Sequence, residues 1–290
     1  MFARLSAGLA LLVGLSASVR ADEKLKAQAA EAMKKADVAD ARVVETEHLL
    51  VATVLPETKA KGLADGLEKV FLQAARALKL EPADTKGQVT VFAFADVDHY
   101  RQFQRSVLKQ RPDDDEYASF DIKRDDAYVA VSARRSEKNP NFEALAGGEL
   151  CRALLAKKAG NAKLPEWMKD GFARAVSWRL NPAAAGADRA AVARLAPPLR
   201  KGAKGAMPVV DRAWSGTGKE KDVVAASLMD YFTSGPGAEK FGNVLGSLAP
   251  TDATATPTFA DALKAADWMV EDLDRSWREW VSKGSPAVAK

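Results

Sequence analysis

The sequence predicts an α+β protein: an N-terminal α/β half with a small mixed sheet, then an all-helical C-terminal half. Two patterns carry this prediction. Short β-branched runs alternate with helically spaced apolar residues over 41–140, whereas every periodic segment in 141–290 has helical spacing. We therefore expect a sheet subdomain over the first range and a helical subdomain over the second, with the seam near 136–141.

The elements of the first half follow in order. Residues 22–40 are rich in Ala, Lys and Glu, and form either an exposed helix or a mobile lead-in. The β-branched run at 41–55 predicts a strand or a hairpin strand, because such side chains suit a pleated surface. The pattern then predicts a helix over 56–80, a strand over 88–96, a helix over 97–110 that Arg111-Pro112 ends, and two strands over 117–135.

The second half contains five helical segments and one long loop. Between Pro197 and Gly218 the chain is rich in Pro, Gly and Lys and has no clear period, which predicts a loop. The helical segments are FEALAGGELCRALLAKKAG, PEWMKDGFARAVSWRL, KEKDVVAASLMDYFTSG, AEKFGNVLGSLA and TFADALKAADWMVEDLDRSWREWV.

The N-terminal residues have the pattern of a signal peptide. Arg4 precedes an apolar run at 5–15, and small or tolerated residues lead up to Ala21. We expect cleavage after Ala21, which gives a secreted or periplasmic bacterial protein with no membrane span after cleavage. The alternative is an N-terminal membrane anchor, because the apolar run is long for a signal peptide.

Charge and cysteine content exclude two classes of protein. The formal net charge is +4, and removing Arg4 and Arg20 with the signal peptide lowers it further. Lys and Arg are scattered apart from a patch at 200–205, so we expect no nucleic-acid partner. The single cysteine, Cys151, rules out intramolecular disulfides, and the chain is long enough to build a core without them.

Two successive predicted helices carry a motif. Residues 147–152 read GGELCR, and residues 164–173 read LPEWMKDGFA. The chain resembles the peptidase MA-like family of gluzincin-type zinc metallopeptidases, in particular its secreted bacterial group, over roughly residues 41–282. The resemblance implies a thermolysin-like architecture, in which the first helix carries H-E-x-x-H and the second supplies a carboxylate as the third zinc ligand.

The chain departs from this pattern at the metal ligands. The two histidines of the family fall on Gly148, which has no side chain, and on Arg152, a permanent cation that cannot bind zinc. Glu149 matches the family's catalytic glutamate, and Asp170 replaces the usual ligand glutamate. We therefore predict that zinc is lost and expect no cofactor, leaving Gly148, Glu149, Arg152 and Asp170 as a vestigial site.

No other residues are spaced to replace the lost ligands. The two histidines, His48 and His99, and Cys151 show no ligand spacing, so only the tertiary fold could bring them together. A surface or hydrogen-bonded role is expected for each histidine, and a buried, inert thiol for Cys151. Core positions are expected for Trp167, Trp277 and Trp280.

Arg152 offers a substitute for the metal. It lies three residues after Glu149 on one helix, and the resemblance places Asp170 opposite both. We expect its guanidinium to lie where zinc is lost and to bind the two carboxylates by charge-assisted hydrogen bonds. The alternative is an exposed Glu149–Arg152 pair with Asp170 on a helix surface, an arrangement that contributes little to stability.

These observations predict a secreted, non-catalytic metallopeptidase-like protein, a pseudoenzyme with a binding or scaffold role. An extended peptide or a cell-envelope protein is the expected partner. In active relatives an edge strand pairs with the substrate, and Tyr128, Val129, Ala130 and Val131 are the expected counterpart. The alternative is an active hydrolase with a non-standard site around Glu149 and Asp170, although Arg152 favours the ionised form of both acids.

Overall fold

The structure, a computed structural model, describes residues 23–80, 89–132, 142–160, 162–199, 208–250 and 257–287. The predicted signal peptide and the basic patch at 200–205 lie outside these ranges. The described residues form two compact units, and the division falls within one long helix: residues up to Glu68 and 89–143 form the first, and residues 69–80 and those from Ala144 onward form the second. No helix in the described ranges has the length and apolarity needed to cross a bilayer.

The first unit contains a five-stranded mixed sheet with the order β1-β2-β3-β5-β4, as the α+β prediction requires. The three middle strands, β2, β3 and β5, are parallel to one another, and an antiparallel strand flanks them on each side. Every residue of β2 and β3 is buried, which explains why these strands read as continuous apolar runs. The strands are Arg42–Glu45, Leu49–Thr53, Val89–Phe94, Ala118–Lys123 and Asp126–Ser132, numbered β1 to β5.

The position of β5 corrects one prediction. Tyr128, Val129, Ala130 and Val131 were expected on an edge strand, but β5 pairs with β3 on one side and with β4 on the other. Its main-chain groups are therefore used within the sheet and leave no edge for an added strand. The outermost described strands are β1 and β4. The β4–β5 hairpin can be predicted from the sequence, whereas which of its two strands pairs with β3 cannot.

The first unit also contains helices α1 (23–35), α2 (Glu57–Leu78, shared with the second unit) and α3 (Val97–Phe103). The lead-in left open above is therefore helical, and Ala29 and Met33 of α1 pack into a core that includes Phe92 and Phe103. The helix predicted over 97–110 changes hydrogen-bonding pattern partway. A π-helical turn, Gln104–Leu108, follows α3 and ends at Lys109, whose φ of 62° is left-handed.

The regular secondary structure of the second unit is helical in the residues described, with loops between the helices. One short helix, Arg212–Ser215, lies inside the segment predicted as a loop, where four residues are too few to show a period. Trp167, Trp277 and Trp280 are buried, as predicted. The helices are α4 (Phe142–Ala159), α5 (Glu166–Leu180), α6 (Gly186–Leu195), α7 (Arg212–Ser215), α8 (Gly218–Ser234), α9 (Phe241–Ser247), α10 (Phe259–Ala265) and α11 (Val270–Ser282), with a 3-10 turn at Pro236–Glu239.

Candidate functional site

Helices α4 and α5 of the second unit carry the four residues predicted to form a vestigial site. Gly148, Glu149 and Arg152 lie on α4, and Asp170 lies on α5. Glu149 and Arg152 share one face of α4, because residues three apart in a helix are neighbours. Asp170 is eighteen residues further along the chain, and the turn between the helices brings it to the same guanidinium.

Arg152 makes one ion pair with each acid. Its NH1 nitrogen lies 3.1 Å from Oε1 of Glu149, and its NH2 nitrogen donates a hydrogen bond to Oδ1 of Asp170. The two contacts use different nitrogens of one planar group, so the guanidinium connects α4 to α5. An arginine is suited to this task because its donors are rigidly arranged and permanently charged.

Burial differs strongly across the three charged groups. The side chain of Glu149 is 9 % exposed, that of Arg152 is 31 % exposed and that of Asp170 is 54 % exposed. The Glu149 carboxylate is thus well inside the fold, and the guanidinium reaches from it toward solvent. The arrangement lies between the buried bridge and the exposed pair that were predicted as alternatives.

A side chain at Gly148 would enter open space. A Cβ built on Gly148 meets no atom within 4 Å, whereas one built on the preceding Gly147 lies 3.4 Å from a methyl group of Val70. The position where the resemblance expects the first histidine can therefore accept a side chain without disturbing the core. Crowding around the backbone therefore does not require a glycine at position 148.

Helix packing requires a glycine at position 171, next to Asp170. A Cβ at this position would lie 2.7 Å from the carbonyl oxygen of Ala225 on α8, closer than such atoms approach in folded proteins. The glycine in the motif LPEWMKDGFA therefore lets the main chains of α5 and α8 approach closely. Its role in the second unit is to position α5, and with it Asp170.

The arrangement of Glu149, Arg152 and Asp170 suits charge neutralisation better than nucleophilic catalysis or metal binding. Arg152 contacts both acids, so its guanidinium balances the negative charge of the two carboxylates. Burial and the nearby charge of Glu149 raise the pKa of the neighbouring Cys151 thiol far above its ordinary value. A thiol held in its protonated form is a poor nucleophile and a poor metal ligand.

Among the described residues, one group of three side chains has donor atoms close enough to hold a metal: Glu47, His48 and Glu68, all within 4.8 Å of one another. His48 Nδ1 lies 2.5 Å from Oε1 of Glu68, and the hydroxyl of Thr46 donates to Oε2 at 2.6 Å. Both oxygens of Glu68 are thus engaged in pinning the β1–β2 turn to α2. His99 lies elsewhere, at the start of α3, where its Nδ1 is 2.7 Å from Oδ2 of Asp96.

No protein-family model matches the chain, and no curated protein matches it. The resemblance to gluzincin-type peptidases therefore remains a prediction that the motif carries. What the structure adds is the mutual placement of Glu149, Arg152 and Asp170, which the motif alone left as an expectation.

Sequence reasoning missed a second charged cluster in the same unit. Asp274 on α11 is buried and accepts hydrogen bonds from Arg278 Nε at 2.6 Å and from the main-chain N–H groups of Val209 and Val210 at 2.7 and 3.1 Å. The only local signal is the four-residue spacing of an acid and a base on one helix. The main-chain partners lie more than sixty residues away, where no sequence pattern points to them.

Proposed function

We propose that this protein is an exported, non-catalytic relative of gluzincin-type zinc peptidases that acts by binding. The observation that carries the proposal is the placement of Arg152 between Glu149 and Asp170. In a peptidase of this class a zinc ion would be held by ligands from the same two helices. A guanidinium in that place supports the fold by balancing charge, and it supplies neither a Lewis acid nor an activated water.

The partner that we propose is an extended peptide or a cell-envelope protein. Strand addition of the peptide takes place at an outer strand of the sheet, because β5 is paired on both sides. Of the outer strands, β4 carries partly buried residues along most of its length and ends at the exposed Lys123. A peptide library screened against the mature protein, with proline substitutions in β4 as a control, tests this mode of binding.

The first test of the proposal is metal content and hydrolysis. We expect the purified mature protein to contain less than stoichiometric zinc and to cleave no generic peptide substrate above a chelator-treated control. Stoichiometric zinc with chelator-sensitive cleavage would overturn the proposal in favour of an active hydrolase. Expression in a bacterium, followed by mass spectrometry of the periplasmic form, tests export: a mature N-terminus at Asp22 is expected.

The second test restores the ligands. The triple variant Gly148→His, Arg152→His, Asp170→Glu gives the family's ligand set, and the open space at Gly148 accepts the first histidine. We expect this variant to bind one zinc ion, measured by calorimetry and by elemental analysis after dialysis. The matched control keeps Gly148 and carries only the other two changes. Equal zinc binding by triple variant and control would contradict the proposed ancestry of the site.

A further inference from the structure

A groove in the first unit lies between α1 and one face of the sheet. Its floor includes Thr90 and Phe92 of β3 and Tyr128 of β5. These side chains project from the same face, because Thr90 is paired with Tyr128 in register and Phe92 is two residues further along its strand. The volume is about 1030 Å³, at the upper limit of the range of about 300–1,000 Å³ that small-molecule sites occupy. The first unit therefore has room for a ligand of substantial size.

Two walls border the groove. One wall is a face of α1 that includes positions 24, 28, 31 and 35, which are spaced three or four residues apart. The other wall contains the end of the π-helical turn. The hydroxyl of Ser106 in this turn donates to the main-chain oxygen of Lys35 at 2.8 Å, and Nζ of Lys123 donates to the main-chain oxygen of Val107 at 2.9 Å. The two walls are therefore bonded to each other, and the second is also bonded to the end of β4.

The hydroxyl of Thr90 is an unpartnered polar group on the floor of the groove. Thr90 is 6 % exposed, and its hydroxyl makes no hydrogen bond to any residue that the structure describes. The hydroxyl is not sealed in the core, because the described side-chain polar atoms that lack both solvent contact and a partner lie on three other residues. Since its side chain projects from the face that the groove covers, the hydroxyl is open to the groove. The hydroxyl of Tyr128, in contrast, is hydrogen-bonded to Asp126.

Positive charge exceeds negative charge around the groove. Four lysines line it against two acids, and one of these acids, Asp126, is the partner of Tyr128. Lys24, Lys35 and Lys109 are exposed and form no ion pair within the described part of the chain. Unpaired cations beside an apolar floor favour a ligand with a negative charge.

The groove suits a hydrocarbon chain better than a peptide. A peptide carries an N–H and a C=O at almost every residue, and these groups are costly to bury without partners. The main-chain groups of β3 and β5 are used within the sheet, because each strand is paired on both sides. The walls add apolar side chains such as Leu25, Ala29 and Val107. A ligand whose body has no polar groups therefore matches this surface.

We propose that this groove binds a single-chain anionic amphiphile, of which a fatty acid is the simplest. The hydrocarbon chain contacts Phe92 and Tyr128 on the floor. The headgroup accepts a hydrogen bond from the hydroxyl of Thr90, and the flexible side chains of Lys35 and Lys109 balance its charge. This inference goes beyond the proposed peptide binding, concerns the first unit alone, and does not depend on the function of the α4–α5 site.

Octanoate is the probe, with 1-octanol as the neutral molecule of equal chain length and butyrate as the anion with a shorter chain. Binding to the mature chain is measured by calorimetry at constant ionic strength, below the concentration at which octanoate forms micelles. We expect octanoate to bind at millimolar or lower concentration, and octanol and butyrate to bind at least about tenfold more weakly. Octanol or butyrate binding as tightly as octanoate, or no binding of octanoate, would overturn the proposal. Tighter binding of the acidic peptide Glu-Leu-Glu-Leu would overturn it in favour of a peptide site.

Two variants and a control locate the site. Thr90→Val keeps the shape of the side chain and removes a hydroxyl that has no partner in the fold, and it is expected to weaken octanoate binding about two- to tenfold. The double variant Lys35→Gln, Lys109→Gln is expected to weaken it about tenfold. The control Lys34→Gln, Lys61→Gln removes the same charge from exposed lysines that do not line the groove, and it is expected to leave binding unchanged. Octanoate binding that is unchanged in either test variant, or weakened equally in the control, would refute the assignment.

Discussion

Replacing Arg152 by Met tests whether the guanidinium supports the buried Glu149. Methionine retains an unbranched apolar side chain in place of the arginine stem, so the change removes charge and hydrogen bonds more than packing. Glu149 keeps its other contacts, but it loses the cation 3.1 Å from its carboxylate. We therefore expect the second unit to be destabilised by the electrostatic loss alone.

The magnitude follows from the different exposure of the two acids. A charge-assisted hydrogen bond to a buried carboxylate contributes about 1.5–3 kcal/mol, and Arg152 is itself about a third exposed, which places its bond to Glu149 toward the lower end. The pair with Asp170, which is more than half exposed, adds at most about 1 kcal/mol. We expect Arg152→Met to lower the free energy of unfolding by about 2 kcal/mol, below the cost of breaking a fully buried pair.

Urea unfolding followed by tryptophan fluorescence measures this loss. All six tryptophans lie between Trp167 and Trp280, so the fluorescence reports on the second unit. The control Asp170→Asn is expected to cost less than about 1 kcal/mol. Adding Glu149→Gln to Arg152→Met should restore about 1 kcal/mol, because a neutral amide does not require a cation. A loss below about 0.5 kcal/mol in Arg152→Met would refute the reasoning.

Two further changes test packing and pH dependence. Gly171→Ala places a Cβ against the carbonyl of Ala225 and should lower the free energy of unfolding by about 1–3 kcal/mol. Gly148→Ala, in open space, should leave the free energy of unfolding unchanged or raise it by up to about 1 kcal/mol. Urea unfolding measures both variants, and equal effects would contradict the close approach of α5 and α8 at Gly171. Burial of Glu68 raises its pKa, but hydrogen bonds from Thr46 and His48 outweigh burial and leave the pKa below the ordinary 4.5. The ionised Glu68 therefore stabilises the fold above that pH, and the difference in unfolding free energy between the unchanged protein and Glu68→Gln should shrink as the pH falls below it. Urea unfolding followed by far-UV circular dichroism from pH 3.5 to 7 measures this difference. A difference that does not change with pH would contradict the prediction.

The sequence predicted the elements better than their arrangement. Strands β2 and β3 were found because full burial leaves a continuous apolar run, and α4 and α5 because their spacing and motif are local. The place of β5 inside the sheet was missed, since strand order depends on contacts between distant segments. The π-helical turn after α3 was missed for a related reason: nothing in the pattern of 97–110 separates one helical hydrogen-bonding scheme from another.

In the candidate site, too, local contacts could be predicted from the sequence and long-range contacts could not. The contacts of Arg152 follow from a three-residue spacing and a motif, and both were predicted. The clamp formed by Glu68 on the β1–β2 turn was not, because Glu68 and Thr46 are twenty-two residues apart and neither stands out locally. The sequence also could not predict how exposed the two acids are, because Glu149 and Asp170 have similar side chains and only the tertiary fold makes one buried and the other exposed.

The contact at Gly171 also bears on how such a site can change over evolutionary time. Because the main chain of α5 lies close to that of α8 at this glycine, the backbone next to Asp170 is held by the packing of the two helices. The backbone framework therefore does not depend on the side chain at Gly148 or Asp170, although replacing Arg152 is expected to lower stability. An evolving chain that kept this glycine would keep the backbone framework while the charged groups placed on it changed.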